Sequence, residues 1–202
     1  MQYIPKGDNV HILDIGCGNG KRLGYLQQKT GAFIYGFDYS EKAIETAKQL
    51  YPVNTVFREG VIGETEYEEE QFDVITSMDT MYFAKDMSAF VAQIKGLLKP
   101  GGVLFVGYQE GDVMPKTKDA HTTVLAEALR KNAMLYEVED ITEQVYELLL
   151  KKRVAAEKNR EEFEAEGHLN WYEMLMWQTE YARIPYEEFK EKLARYIYVV
   201  CK

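Results

Sequence analysis

The chain is poor in the residues that build disulfide frameworks and metal sites. It has 202 residues, of which two are cysteines, Cys17 and Cys201, and three are histidines. So few cysteines in a domain of this size make no disulfide scaffold, and a reducing cytoplasm is the expected compartment. Their placement shows no metal-ligand spacing, so no metal is expected. Positive charge is also in deficit, with 24 Lys and Arg against 33 Asp and Glu for a formal net charge of −9. That balance disfavours nucleic acid and anionic membrane as partners, and no basic stripe marks a nucleic-acid footprint. No apolar run approaches the roughly 20 residues of a membrane helix. The first residues, Met1 to Asp8, carry no apolar signal-peptide segment. A Walker phosphate loop, a G-x-S-x-G elbow, an internal repeat and a low-complexity linker are all missing.

What remains is an ordinary globular composition, 46% hydrophobic and 28% charged, long enough for a single domain with a full core. The acidic runs Glu64 to Glu70 and Glu161 to Glu166 read as solvated surface. Short apolar runs alternate with helical patterns. The first strand is read at Val10 to Ile15, a helix at Lys21 to Gln28 closed by Gly31, and a second strand at Ala32 to Phe37 ending in Asp38. Ser40 then caps a helix carrying Ala43, Ile44, Ala47 and Leu50 at helical spacing. Strands follow at Thr55 to Phe57 and Phe72 to Ser77, then a helix at Met87 to Leu98 stopped by Lys99-Pro100-Gly101-Gly102, then a strand at Val103 to Tyr108. This rhythm predicts a parallel sheet with helices on both faces. Beyond it the spacing gives a helix at Thr122 to Lys131, a strand at Leu135 to Val138 and a long charged helix from Thr142 to about Glu166. An aromatic stretch His168 to Tyr181, a helix at Pro185 to Ala194 and a last strand, Tyr196 to Val200, complete the chain.

The most informative stretch is Leu13-Asp14-Ile15-Gly16-Cys17-Gly18-Asn19-Gly20. A buried strand ending in glycines marks a tight turn to which a ligand or helix comes close, at the carboxyl end of the strand where α/β folds bind ligands. The dinucleotide fingerprint G-x-G-x-x-G/A is not met, because Lys21 occupies its last small position. The segment instead resembles the first motif of class I S-adenosylmethionine (SAM) dependent methyltransferases. Other features agree in order and spacing between about residues 8 and 108. Asp38-Tyr39-Ser40 through Ile44 resembles the family's D-x-S-x-x-x-I/L continuation, Phe72 to Phe83 its fourth motif, and Leu97-Leu98-Lys99-Pro100-Gly101-Gly102 its turn into strand five.

The resemblance implies a Rossmann-like, doubly wound, seven-stranded α/β sheet. It would be mostly parallel, with an antiparallel last strand beside strand five. Residues 1–202 would form one methyltransferase domain, with a helical insertion at 142–184 capping the substrate. It implies SAM as cofactor, with S-adenosylhomocysteine as product, and a small-molecule methyl acceptor with an N, O or C nucleophile. The chain would be a monomer or homodimer. Asp14, Gly16, Cys17 and Gly18 would line the methionine end of SAM, where a helix N-terminus favours its carboxylate. Asp38 would accept the ribose hydroxyls, with Tyr39 packed beside the ribose or adenine. Where the family often has a Gly-Asp pair contacting the adenine amino group, this chain has Gly60-Val61, leaving Val61 and Ile62 as apolar walls and Glu59, Glu64 or backbone groups for the bond. Ser77 and Met78 would sit beside the sulfonium and Asp73 would be structural.

Asp79, Tyr82 and His168 are the candidate catalytic residues, needed as bases only if the nucleophile arrives protonated. Tyr82, Tyr108, Trp171 and Trp177 are the candidate substrate contacts, aromatic rings being able to exclude water and hold a cationic amine. Met81 and Phe83 read as core. Two other readings stay open: a SAM-binding protein without catalysis, and a nicotinamide-dependent oxidoreductase on a Rossmann fold. The Lys21 substitution and the Leu-Lys-Pro-Gly-Gly turn count against the second. Nine residues precede the first strand, whereas many relatives carry an N-terminal helical segment over the cofactor. A shortened chain, a more open site and a lid supplied by a partner are the alternatives this leaves.

Overall fold

The computed structural model describes residues 4–64 and 66–202. Met1 to Tyr3, at the end searched for a targeting segment, and Thr65, inside the acidic run, lie outside the described residues. The chain alternates β1 (His11–Ile15), α1 (Lys21–Thr30), β2 (Phe33–Asp38), α2 (Glu41–Leu50), β3 (Thr55–Glu59), β4 (Phe72–Met78), α3 (Met87–Leu97) and β5 (Leu98–Glu110). It continues with α4 (Val124–Lys131), β6 (Leu135–Asp140), α5 (Thr142–Lys158), α6 (Arg160–Ala165), α7 (Leu169–Gln178), α8 (Tyr186–Lys192) and β7 (Ala194–Cys201). The seven strands form one sheet in the order β3-β2-β1-β4-β5-β7-β6. The pairs β2–β3, β1–β2, β1–β4 and β4–β5 are parallel, and the last strands run antiparallel.

The central strands are apolar because both faces are covered. Ile12, Leu13, Ile15, Ile34, Val74, Ile75, Leu104 and Val106 are all buried. One core packs Leu23 of α1 and Ile44 and Ala47 of α2 with Phe57 and Val74. Side-chain caps fix the helix starts: Ser40 Oγ accepts from Ala43 N, Asp86 Oδ1 from Ala89 N and Thr123 Oγ1 from Ala126 N. The register brings Ile15, Phe37 and Ser77 level, with Met78 beside Gly107. Five parallel strands therefore deliver their following loops to one edge of the sheet.

The chain divides into two compact units. The first comprises Met1–Tyr108, Thr117–Glu139 and Ile197–Lys202, and the second Gln109–Lys116 and Asp140–Tyr196. The insertion expected at 142–184 falls within the second.

Two elements differ from the sequence reading. The helix expected from Thr142 to Glu166 is broken at Asn159 into α5 and α6. Asn159 Nδ2 donates to the Ala155 carbonyl at 2.9 Å, a local side-chain bond of the kind that competes with helix propagation. Strand β5 starts at Leu98 rather than Val103. Phe72 pairs with Leu98 and Val74 with Val103, so Lys99 to Gly102 form a bulge in a continuous strand rather than a break before it.

Candidate functional site

The glycine loop joins β1 to α1. Gly16, Gly18 and Gly20 all have positive φ, at 72°, 53° and 75°, which L side chains adopt only at a cost. Gly16 has a second reason to be glycine, since a Cβ there would collide with the methyl of Thr80. At Gly18 a Cβ would meet nothing within 4 Å, so this part of the loop faces open space. Gly20 caps α1 without any side-chain bond, and the first turn of α1 has no acidic residue. Its positive end is not neutralised by its own sequence.

Asp38 ties this loop to the end of β2. Its Oδ2 accepts from Gly18 N at 2.8 Å and its Oδ1 from Ser40 N at 3.0 Å. An ionised carboxylate offers about four lone-pair sites, so one remains on each oxygen. Asp38 lies on a cavity of about 360 Å³ lined with Gly16, Phe37, Tyr39, Gly60, Val61, Ile62, Thr80 and Phe83. This is within the range of small-ligand pockets. The expected cofactor-side residues Gly16, Asp38, Tyr39, Val61 and Ile62 are thus brought together, and Tyr39 stands at the rim, 81% exposed.

Asp14 is not at this surface. Its carboxylate is fully buried and accepts a bidentate bond from Arg22, with Nη2 to Oδ2 at 2.9 Å and Nε to Oδ2 at 3.2 Å, and a third from Thr76 Oγ1 at 2.6 Å. Burial raises its pKa to about 6, against the opposing pull of Arg22 and Thr76. Reading Asp14 as a direct ligand contact is corrected: it anchors Arg22, in the first turn of α1, from beneath. The Cys17 side chain likewise packs inward among Leu23, Ile34 and Val74, opposite Gly36, and burial pushes its thiol up to about 12. Only its backbone can serve a ligand, and the thiol is not reactive.

The far wall comes from the end of β4. Asp79 holds a left-handed φ of 62°, an uncommon conformation outside glycine and one that concentrates at functional sites. Thr80 follows. Its hydroxyl donates to the Ile15 carbonyl at 2.8 Å and stands 2.6 Å from Ser77 Oγ. With its one proton committed to Ile15, Thr80 accepts from Ser77. Ser77 itself is buried, and Met78 packs its sulfur against Gly107, so neither lines the cavity. Thr80 is therefore the residue that fastens the β4 end to the glycine loop. The sequence reading did not single it out; its bonds to Ile15 and Ser77 and its tight fit over Gly16 identify it. Asp73 has the structural role foreseen for it, accepting from His11 N at 2.8 Å and Lys99 Nζ at 2.7 Å.

Two aromatic readings change. Phe83, expected in the core, is 65% exposed and lines the cavity, while Met81 is buried as expected. Tyr108, expected at the substrate, is fully buried and packs edge-on against Tyr82 and Tyr198. Tyr82 is half-buried between Phe83 and Tyr108. His168, Trp171 and Trp177 belong to the second unit, His168 capping α7 and the tryptophans on it, and all three are exposed. Among the described residues no group of three or more His, Cys, Asp or Glu is placed to hold a metal, and no helix is long and apolar enough to cross a membrane.

Comparison with known proteins agrees with this geometry. A family model described as a methyltransferase domain matches residues 13–106, from the strand before the glycine loop to the strand beyond Thr80. Over that stretch, a little under half of the chain, it is similar to methyltransferase domains. A ubiquinone biosynthesis O-methyltransferase from Neisseria meningitidis serogroup C is 34% identical over 125 residues, covering 59% of this chain and 51% of that protein. One of the same description from Coxiella burnetii is 34% identical over 108 residues, 52% of this chain and 45% of that protein. The chain spans about half the length of the curated methyltransferases it matches. Among solved structures, a Haemonchus contortus phosphoethanolamine N-methyltransferase in complex with S-adenosyl-L-methionine superposes with a TM-score of 0.84 at 20% identity, over 99% of this chain and 50% of that one. A cyclopropane synthase from Mycobacterium tuberculosis gives 0.74 at 17% identity, over 100% and 81%. At these identities the structures establish the shared methyltransferase fold.

Proposed function

We propose that this chain binds SAM at the glycine-loop cavity and transfers its methyl group to a small-molecule N, O or C nucleophile. The observation that carries the reading is Asp38, whose carboxylate is oriented by Gly18 N and Ser40 N and keeps one acceptor site per oxygen at the cavity wall. That pair suits two adjacent ribose hydroxyls. Phe37, Val61 and Ile62 give a flat apolar lining suited to adenine. Val61 cannot take a bond from an amino group, which leaves backbone groups, Glu59 or Glu64 for that contact. The uncapped first turn of α1, with Arg22 held by buried Asp14, suits a carboxylate at the methionine end. Gly16, Cys17 and Gly18 approach by backbone.

SAM supplies an activated methyl on sulfur, so the protein contributes orientation and exclusion of water more than acid or base chemistry. Thr80 holds the acceptor-side segment Asp79 to Phe83 against the donor loop. Asp79 and Tyr82 then stand as the groups that orient, or accept a proton from, an incoming nucleophile. In the second unit we assign His168, Trp171 and Trp177 to substrate handling, and residues 142–184 to a substrate cap. The reading is supported by exposed aromatic rings on α7, a helix with no buried residue. The net charge of −9 supports a small acceptor rather than nucleic acid, and two free cysteines suit a cytoplasmic setting.

Calorimetric titration with SAM, S-adenosylhomocysteine and NAD, followed by an acceptor screen, tests the reading. Binding of both SAM-type ligands without NAD, and methyl transfer to an acceptor, is expected. NAD binding in their place contradicts it. Tight SAM binding with no turnover on any acceptor favours a SAM-binding protein without catalysis.

A further inference from the structure

Ile62 lines a second space as well as the donor cavity. This is a groove of about 380 Å³ whose walls include Gly63, Glu64, Ala84, Lys85 and Phe90. The same two chain segments wall both spaces. Gly60 to Ile62 with Thr80 and Phe83 line the donor cavity, and Ile62 to Glu64 with Ala84 to Asp86 line the groove. Lys85 Nζ stands 3.7 Å from Glu64 Oε1, so the two segments still face each other beyond the cavity. All of these residues belong to the first unit.

Each wall has its own local cause. Glu64 N donates to the Val61 carbonyl at 3.0 Å and closes a turn, with Gly63 at φ 87°. A Cβ on Gly63 would meet nothing within 4 Å, so space is open on that side. On the other wall Asp86 Oδ1 accepts from Ala89 N and starts α3. That start places the small side chains of Ala84 and Ala89 in the lining with the buried ring of Phe90. The Lys85–Glu64 pair is exposed on both sides, 92% and 63%, so it holds the groove shut only weakly.

The chemistry of adenosine determines what lies nearest this groove. Its ribose is joined to the imidazole ring of the purine, and its amino group sits on the pyrimidine ring at the far side. With the ribose hydroxyls on Asp38 and the purine along Val61 and Ile62, the amino edge points on toward Gly63 and Glu64. Val61, Ile62 and Phe83 are apolar, so no side chain of theirs accepts a bond from that edge. Replacing one amino hydrogen therefore sacrifices little, and one N–H remains for a backbone group or Glu64. We propose that the groove extends the donor site and takes an aryl or alkyl group carried on the exocyclic nitrogen of the cofactor's purine. Ala84, Ala89 and Phe90 receive that group and remove its apolar surface from water. The proposal rests on the donor cavity's holding SAM.

The test is calorimetric titration of the whole chain with S-adenosylhomocysteine and with its derivative benzylated on the exocyclic nitrogen. Wild type, Ala89→Trp and Ala84→Trp are compared, and thermal melts check that each variant folds. The benzyl derivative is expected to bind wild type within about fivefold of the parent. Ala89 is exposed on α3, so a tryptophan there fills the groove without entering the core. Either tryptophan should weaken the benzyl derivative by about tenfold more than the parent. A larger loss on benzylation in wild type overturns the proposal, because the amino edge is then closed in. An unchanged ratio of the two affinities in both tryptophan variants also overturns it, because the substituent then stands in water. Failure of S-adenosylhomocysteine itself to bind contradicts the SAM reading, and the extension falls with it.

Discussion

Gly16 and Gly167 have nearly the same backbone, φ 72° and φ 73°, yet they mean different things. At Gly16 a Cβ would strike Thr80, while at Gly167, between α6 and α7 of the second unit, it would meet nothing within 4 Å. The first glycine is fixed by what crowds it, the second only by the turn it makes. The two units differ in the same way. Around the glycine loop, Asp38, Thr80, Asp14 and Arg22 are tied to backbone or to one another. In α6 and α7 of the second unit no residue is buried. Dense mutual constraint yields a recurrent sequence pattern, and open helices leave the sequence free.

The largest expected effect sharpens this contrast. Gly16→Ala adds a close-packing clash to the cost of a left-handed residue and should destabilise the protein by about 3 kcal/mol, with loss of SAM binding. Gly167→Ala should cost about 1 kcal/mol and leave that binding intact. Urea melts with a SAM titration of each variant check both, and equal costs would dissolve the distinction.

Thr80→Val keeps the shape over Gly16 but removes the hydroxyl, leaving Ser77 Oγ and the Ile15 carbonyl without it. A cost of about 1–3 kcal/mol is expected from the stranded buried partners. Thr80→Ser, which restores the hydroxyl, should recover most of the binding. If Val and Ser behave alike, the methyl rather than the hydroxyl fastens the two loops.

Asp14 gives a pH-dependent comparison. A carboxyl whose folded pKa is raised from 3.8 to about 6 adds stability below the lower value and loses it as pH rises through the upper one. Asp14→Asn cannot ionise, so its stability should gain on the wild type between about pH 4 and pH 6. Paired urea melts across that range would show a constant difference if Asp14 were not the group titrating. The smallest effect belongs to the second unit: Trp177→Ala, at a side chain 77% exposed, should change stability by about 0.5 kcal/mol or less, while weakening the acceptor if the aromatic face handles substrate.

The sequence made most of the first unit legible. An apolar run ending in spaced glycines, an acid ending the next strand and Ser40 at a helix start are local patterns with local causes. Tyr39, Val61 and Ile62 followed from their places after strand ends. What the pattern concealed was tertiary. Asp14 faces Arg22 across the turn, so an acid that looks available is already satisfied. Thr80 shows its role only where two loops meet. Phe83 and Tyr108 exchanged places, because one aromatic lies on a short turn facing the cavity and the other on a strand packed between two tyrosines. The break at Asn159 coincides with a side-chain bond to the Ala155 carbonyl that helical periodicity does not register. The bond joining Gln109 to Arg195 across 86 residues had no sequence signature at all.

The account rests on Asp38 receiving the ribose, and a two-by-two binding cycle tests that directly. Wild type and Asp38→Ala are each titrated with S-adenosylhomocysteine and with its 2′-deoxy analogue. Removing the hydroxyl should cost wild type about tenfold or more in affinity and Asp38→Ala almost nothing, since its partner is already gone. The same loss in both proteins would mean that the hydroxyl is held elsewhere and that Asp38 serves only the loop.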